Sequence, residues 1–338
     1  MEIIILVILF VSCYLIYVIV TQLNHKKFQN AIDKVLSFTE VDEIKNNKIN
    51  YVKLDRSKIQ ILKKSIESIY VDETLDYIIA YPKEVANEIS EGLFFLHGLG
   101  NDMYEWIDKG LAINNYLNLF EQGKIRPLLL IFVNSGNHGK SWYSNFYGQK
   151  SKRYEDFFMK EVYSEIKDQW KINRFGIVGY SMGGYGAFKL GIKNLDKFLI
   201  IGSFSGATNL VRMAVNRSCL WIFKFLYIPK FLFKSSEEKD FLTVFSSWGY
   251  KILKEDPYEL MKKVPKSLID KRYFYLSVGK NDYINYKMLQ QWIDTVIQLK
   301  KLNYKFKGNL CLGEEHTWDY VAEDMKNFLI YFEEKLGE

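Results

Sequence analysis

The sequence predicts an α/β fold, with a mostly parallel central sheet covered by helices on both faces, and three observations lead there. Short unbroken apolar runs recur along the chain, and helical patterns separate most of the later ones. One run, "FGIVGYSMGGYGAF" (175–188), passes through glycines into a helical pattern with a serine at the junction. Strands covered on both faces read as continuous apolar runs, whereas strands with a solvated face alternate.

In chain order, the candidate strands are 49–54, 75–82, 92–98, 126–135, 175–181, 198–206, 272–279 and 304–312. The first two precede any alternation with helices and are expected to form an antiparallel edge. Helical patterns cover 154–170, 182–194, 286–302 and 320–336. The regularity from residue 49 to 338 argues for one domain rather than two. Residues 208–255 interrupt it where a short crossover would suffice, and they contain "CLWIFKFLYIPKFLFK" (219–234), too apolar for a solvated loop. Two overlapping readings stand: an extra helical subdomain on its own core, or a lid that walls an acyl site or dips into a membrane surface.

Composition sets bounds. With 48% hydrophobic residues, the 338-residue chain can bury a large core. Its net charge of +6 is spread without a dense basic block, which argues against a nucleic-acid partner. Cys13, Cys219 and Cys311 are too far apart to suggest a disulfide framework or a metal site.

The amino terminus differs in character. Residues 3–20, "IIILVILFVSCYLIYVIV", hold no charge. At ~1.5 Å per residue such a helix approaches the ~30 Å hydrocarbon thickness of a bilayer. Glu2 is the only charged side chain before the run, and no small-x-small cleavage site follows it. Residues 1–23 therefore read as a single-pass anchor. Lys26, Lys27 and Lys34 follow the run and lean toward a cytoplasmic catalytic domain. Residues 24–48 read as a polar linker or amphipathic helix, with Phe28, Ala31, Ile32, Val35 and Leu36 at helical spacing.

The glycines explain the serine. Gly179-Tyr180-Ser181-Met182-Gly183 has the G-x-S-x-G form, weak alone but here set between a strand and a helix, as a nucleophile elbow requires. The sharp turn exposes the hydroxyl, and side chains at Gly179 and Gly183 would collide across it. A serine hydroxyl needs a base to take its proton. The chain has four histidines: His25, His97, His138 and His316. In α/β-hydrolase order the base follows both serine and acid, which selects His316. The acid is expected after the seventh strand, where "SVGKNDYINY" supplies Asp282, with Glu314 and Glu315 as open alternatives. His97, in "FFLHGLG", ends a strand beside the nucleophile strand, so it is expected to orient that loop rather than act as base. Backbone N–H groups of Leu99 and Met182 are the expected oxyanion donors.

In combination, "HGLGNDMYEW", "SWYSNFYG", "RYEDFFMKEV", "GYSMGGYGAFKLGI", "DPYEL", "VGKNDYINY" and "GEEHTWDY" resemble the putative-esterase family of α/β-hydrolases, across about residues 65–335. That family includes esterase D, S-formylglutathione hydrolases, tributyrin and feruloyl esterases and mycolyltransferases. The resemblance implies Ser181, Asp282 and His316 as a catalytic triad, Leu99 and Met182 at the oxyanion, and Trp142 and Tyr180 at the substrate. It implies no cofactor or metal. The apolar amino terminus and the 208–255 segment depart from the compact members and favour a bulky, lipid-like or cell-envelope ester. The expectation is a membrane-anchored serine carboxylesterase. An acyltransferase with the same triad is the nearest rival, and a catalytically dead membrane adaptor the rival from another class.

Overall fold

The computed structural model describes residues 26–45, 57–214, 220–232, 235–283 and 286–338. One nine-stranded sheet organises them, in the order β1-β9-β8-β7-β6-β4-β5-β3-β2. These strands are β1 Val41–Lys45, β2 Ile59–Glu67, β3 Thr74–Pro82, β4 Glu91–Leu96, β5 Leu128–Val133, β6 Arg174–Tyr180, β7 Phe198–Phe204, β8 Tyr273–Gly279 and β9 Lys305–Leu312. Pairing is antiparallel for β2–β3 and β3–β5 and parallel everywhere else. Every residue of β4, β5 and β8 is buried, as their unbroken apolar runs require of strands covered on both faces.

Two edge strands correct the sequence reading. The antiparallel edge partner of β3 is β2 at 59–67, while the expected strand at 49–54 lies outside the described residues. "IQILKKSIE" interposes two lysines, and its alternation is that of an edge with a wet face. At the opposite edge, β1 pairs parallel with β9 inside the stretch read as linker. The hydrolase unit therefore begins before residue 49. Residues 26–36 form a helix that buries Ile32 and Val35 on the core, with Phe28, Ala31 and Leu36 packed beside them. The expected amphipathic helix lies against the domain.

The core has two compartments, one on each side of the sheet. The elbow helix Met182–Lys193 lies in the first; the carboxyl-terminal helix Trp318–Gly337 fills the second. Among its described residues, the 208–255 segment holds the short helices Leu210–Ala214, Leu220–Phe223, Lys230–Leu232, Ser236–Phe245 and Gly249–Glu255. The apolar run 3–20 lies outside the described residues, and among those described no helix is long and apolar enough to cross a membrane.

Candidate active site

Ser181 stands between β6 and the elbow helix with φ 54° and ψ −116°, a backbone conformation that L-residues rarely adopt and that persists only when its surroundings enforce it. Those surroundings are backbone. A Cβ on Gly179 would lie 2.0 Å from the Gly183 carbonyl oxygen, and one on Gly183 would lie 2.0 Å from that of Leu96 on β4. The collision foreseen within the turn thus occurs at Gly179, whereas Gly183 is needed because β4 ends against it. Only glycine at both positions lets the serine crest the turn.

Three side chains converge here from three loops. His316 Nε2 lies 3.0 Å from Ser181 Oγ, and His316 Nδ1 lies 2.7 Å from Asp282 Oδ2. With the carboxylate at Nδ1, that nitrogen carries the proton and Nε2 is left to accept from the hydroxyl. Asp282 is buried and His316 partly exposed. Glu314 and Glu315, the alternative acids, serve through their carbonyls: Asn281 N–H donates to Glu314 O at 2.8 Å and Thr317 N–H to Glu315 O at 2.9 Å. A Cβ on Gly279 would lie 2.5 Å from Glu314 O, so this glycine lets the loops that carry Asp282 and His316 approach.

His97 does what its place beside the glycines suggested. It is fully buried, its Nδ1 faces Gly98 O at 2.7 Å, and its Nε2 accepts from Ser135 N–H at 2.9 Å. Nε2 is thus the acceptor and Nδ1–H the donor, a neutral ring. Burial disfavours the imidazolium and holds its pKa down to about 4. Glu105, also buried, accepts from Gly98 N–H at 3.3 Å, and Gly100 N–H donates to Gly139 O at 2.8 Å. These bonds fix residues 97–100 on both sides of Leu99. Among the described residues Leu99 N–H donates to no protein acceptor, and Met182 N–H, first in its helix, has no intrahelical one.

A cavity of about 160 Å³ opens on Ser181. Leu99, Met182 and Trp142 form its inner wall, and Phe223, Ile228 and Phe241 from the 208–255 segment face them. Trp142 therefore sits where expected, in the wall. Tyr180 does not line this cavity. Its ring stacks on His316 with centroids 4.9 Å apart and lies 4.4 Å from Trp318, whose indole N–H donates to Glu105 at 3.2 Å. Tyr180 and Trp318 thus back the imidazole, and Glu105 joins that support to the Gly98 loop. Tyr180, the last residue of β6, packs in the core compartment opposite that of Met182. Two wider clefts, about 610 and 830 Å³, contain neither Ser181 nor His316.

Sequence reading missed Lys189. It is fully buried on the elbow helix, bonded to Tyr143 O at 3.0 Å and Ser144 Oγ at 2.7 Å, and paired with Glu155 at 2.8 Å and Glu255 at 3.5 Å. Trp142 and Tyr143 both have positive φ, at 53° and 47°, so this lysine clamps the strained loop that presents the Trp142 wall. Tyr286 and Met288 also line the cavity. Trp318, Glu105, Lys189 and Tyr286 all stand inside quoted motifs and Met288 just beyond one, but nothing in the sequence gives these residues their roles, which depend on partners distant in the chain. Among the described residues, no cluster of His, Cys, Asp or Glu is placed to hold a metal ion.

Known proteins share this fold. The family model described as "Putative esterase" matches residues 70–331. An S-formylglutathione hydrolase of Arabidopsis thaliana is 33% identical over 81 residues, which is 22% of this chain and 28% of that relative. The shared stretch is therefore less than a third of the relative's length. An S-formylglutathione hydrolase structure from Agrobacterium tumefaciens superposes with TM-score 0.65 at 17% identity, covering 83% of this chain and 96% of that one. FphF, a fluorophosphonate-binding serine hydrolase of Staphylococcus aureus, gives TM-score 0.59 at 18% identity over 80% of this chain and 98% of its own. At such identities the structures speak for the fold. The chain belongs to the esterase family, on an α/β-hydrolase fold.

Proposed function

We propose that Ser181, His316 and Asp282 form the catalytic triad of a carboxylesterase held at a membrane by its amino terminus. The observation that carries the reading is the chain of two hydrogen bonds, Ser181 Oγ to His316 Nε2 at 3.0 Å and His316 Nδ1 to Asp282 Oδ2 at 2.7 Å. As Ser181 Oγ bonds to the ester carbonyl carbon, its proton passes to His316 Nε2 and the carbonyl oxygen becomes an oxyanion. Leu99 and Met182 N–H groups receive that charge. Asp282 stabilises the imidazolium without taking its proton. The carbon–oxygen bond to the alcohol then breaks, and His316 returns the proton to the departing oxygen. Water repeats the sequence on the acyl-enzyme and frees the acid.

Anchorage rests on the apolar, uncharged run at 3–20, and a cytoplasmic catalytic domain on the lysines that follow it. The substrate is a small or lipid-like ester whose acyl group enters the cavity beside Trp142. Hydrolysis of p-nitrophenyl butyrate by the full chain, compared with Ser181→Ala, tests the assignment. The variant is expected to lose activity by several powers of ten. A Ser181→Ala enzyme that retains wild-type turnover would remove Ser181 from the chemistry.

A further inference from the structure

The 208–255 segment carries an apolar surface that the cavity does not use. Within one short stretch Phe223 and Ile228 turn into the cavity beside Ser181, while Phe225 is 81% and Phe231 82% exposed. Leu226 and Tyr227 are exposed beside Phe225, and Tyr227 meets Trp248 edge-to-face with centroids 5.0 Å apart. Gly249 N–H donates to Leu226 O at 3.0 Å, and Tyr250 follows at 6.2 Å from Trp248, so residues distant in the chain make one continuous face. That face is the outer side of the wall whose inner side lines the cavity. A contiguous exposed aromatic face at the rim of a binding site marks an interaction surface rather than scattered surface residues.

Charge selects the occupant. Lys224 and Lys230 lie in the same described stretch as Phe225 and Phe231, and residues 220–232 hold no carboxylate. Lys251 and Lys254 flank the same face, with their ammonium groups 5.0 and 6.0 Å from the Tyr250 ring centroid. Aromatic side chains ringed by lysines suit the headgroup layer of an anionic bilayer.

We propose that this face lies in the headgroup layer of an anionic bilayer and that the cavity draws its ester from that layer. The second half rests on the esterase reading of Ser181; the first does not. The test uses the full chain reconstituted into phosphatidylcholine vesicles, with and without phosphatidylglycerol. The proposal predicts that brominated lipid quenches a fluorescence component that disappears in Trp248→Phe, more strongly when phosphatidylglycerol is present. It also predicts that Phe225→Ser with Phe231→Ser slows hydrolysis of a vesicle-borne short-chain diacylglycerol about tenfold and leaves soluble p-nitrophenyl butyrate unaffected. Absence of Trp248 quenching overturns the bilayer assignment whatever the catalytic result. Quenching with no hydrolysis of either ester leaves the docking face standing and counts against Ser181. Equal loss on both esters would make the face structural, and dimers that dissociate in the Phe225→Ser, Phe231→Ser protein would give it to a second copy of the chain; either result overturns the proposal.

Discussion

Ser181 is held by what its neighbours lack: a Cβ at Gly179 or Gly183 would lie 2.0 Å from backbone oxygen, so the strained turn is enforced rather than chosen. Asp282 acts one bond further out. Asp282→Asn keeps the shape but offers Nδ1 a donor as readily as an acceptor, which destabilises the required tautomer, and kcat is expected to fall about 10⁴-fold. Steady-state hydrolysis of p-nitrophenyl butyrate measures this, and a fall of less than tenfold would contradict the role. His97 gives a prediction about stability instead. The unfolded imidazole takes up a proton near 6.5, but burial delays uptake in the folded chain until about 4. Between those values unfolding binds a proton, so this contribution is complete above 6.5 and is lost as pH falls through 4. Over that window it amounts to roughly 3 kcal/mol. Urea unfolding at pH 7 and pH 4.5 should show the decline, and His97→Asn should flatten it.

At the scale of elements, buried Lys189 ties the elbow helix both to Glu155, in the short helix Tyr154–Asp156, and to Glu255 at the end of the 208–255 segment. Burial pushes the Glu155 carboxyl up, but Lys189 and Lys193 outweigh it and bring its pKa down to about 2. Its stabilising contribution is therefore present above about 4.5 and fades as pH falls toward 2. Lys189→Met removes one buried cation and leaves Glu155 facing Lys193 alone, which should cost about 3 kcal/mol, the low end for breaking a buried pair. Adding Glu155→Gln should recover part of that loss in the same denaturation assay. Legibility divides along similar lines. Buried strands such as β4 and β5 could be read from their unbroken apolar runs, and the elbow from glycine spacing. Edge strands β1 and β2 mix charge with apolar residues because one face is wet, so their pattern resembles a linker. Ser181, Asp282 and His316 could be singled out because chain order constrains them. Lys189 could not, since a buried lysine is known only by its partners.

For the molecule as a whole, fold and site geometry meet in one small cavity opening on the nucleophile. At about 160 Å³ it is comparable to a protein cavity of about 150 Å³ that admits a benzene-sized guest. Among p-nitrophenyl esters from acetate to palmitate, the optimum is therefore expected near four to six acyl carbons, with palmitate poor. An optimum at palmitate would mean that the 208–255 segment moves aside in solution. The central claim is that Ser181 is the nucleophile activated by His316. Its most direct test is fluorophosphonate labelling of the full chain followed by mass mapping of the peptides. The account predicts a single adduct on Ser181, lost in Ser181→Ala and slowed by orders of magnitude in His316→Ala. An adduct on another serine, or none on folded protein, would contradict it.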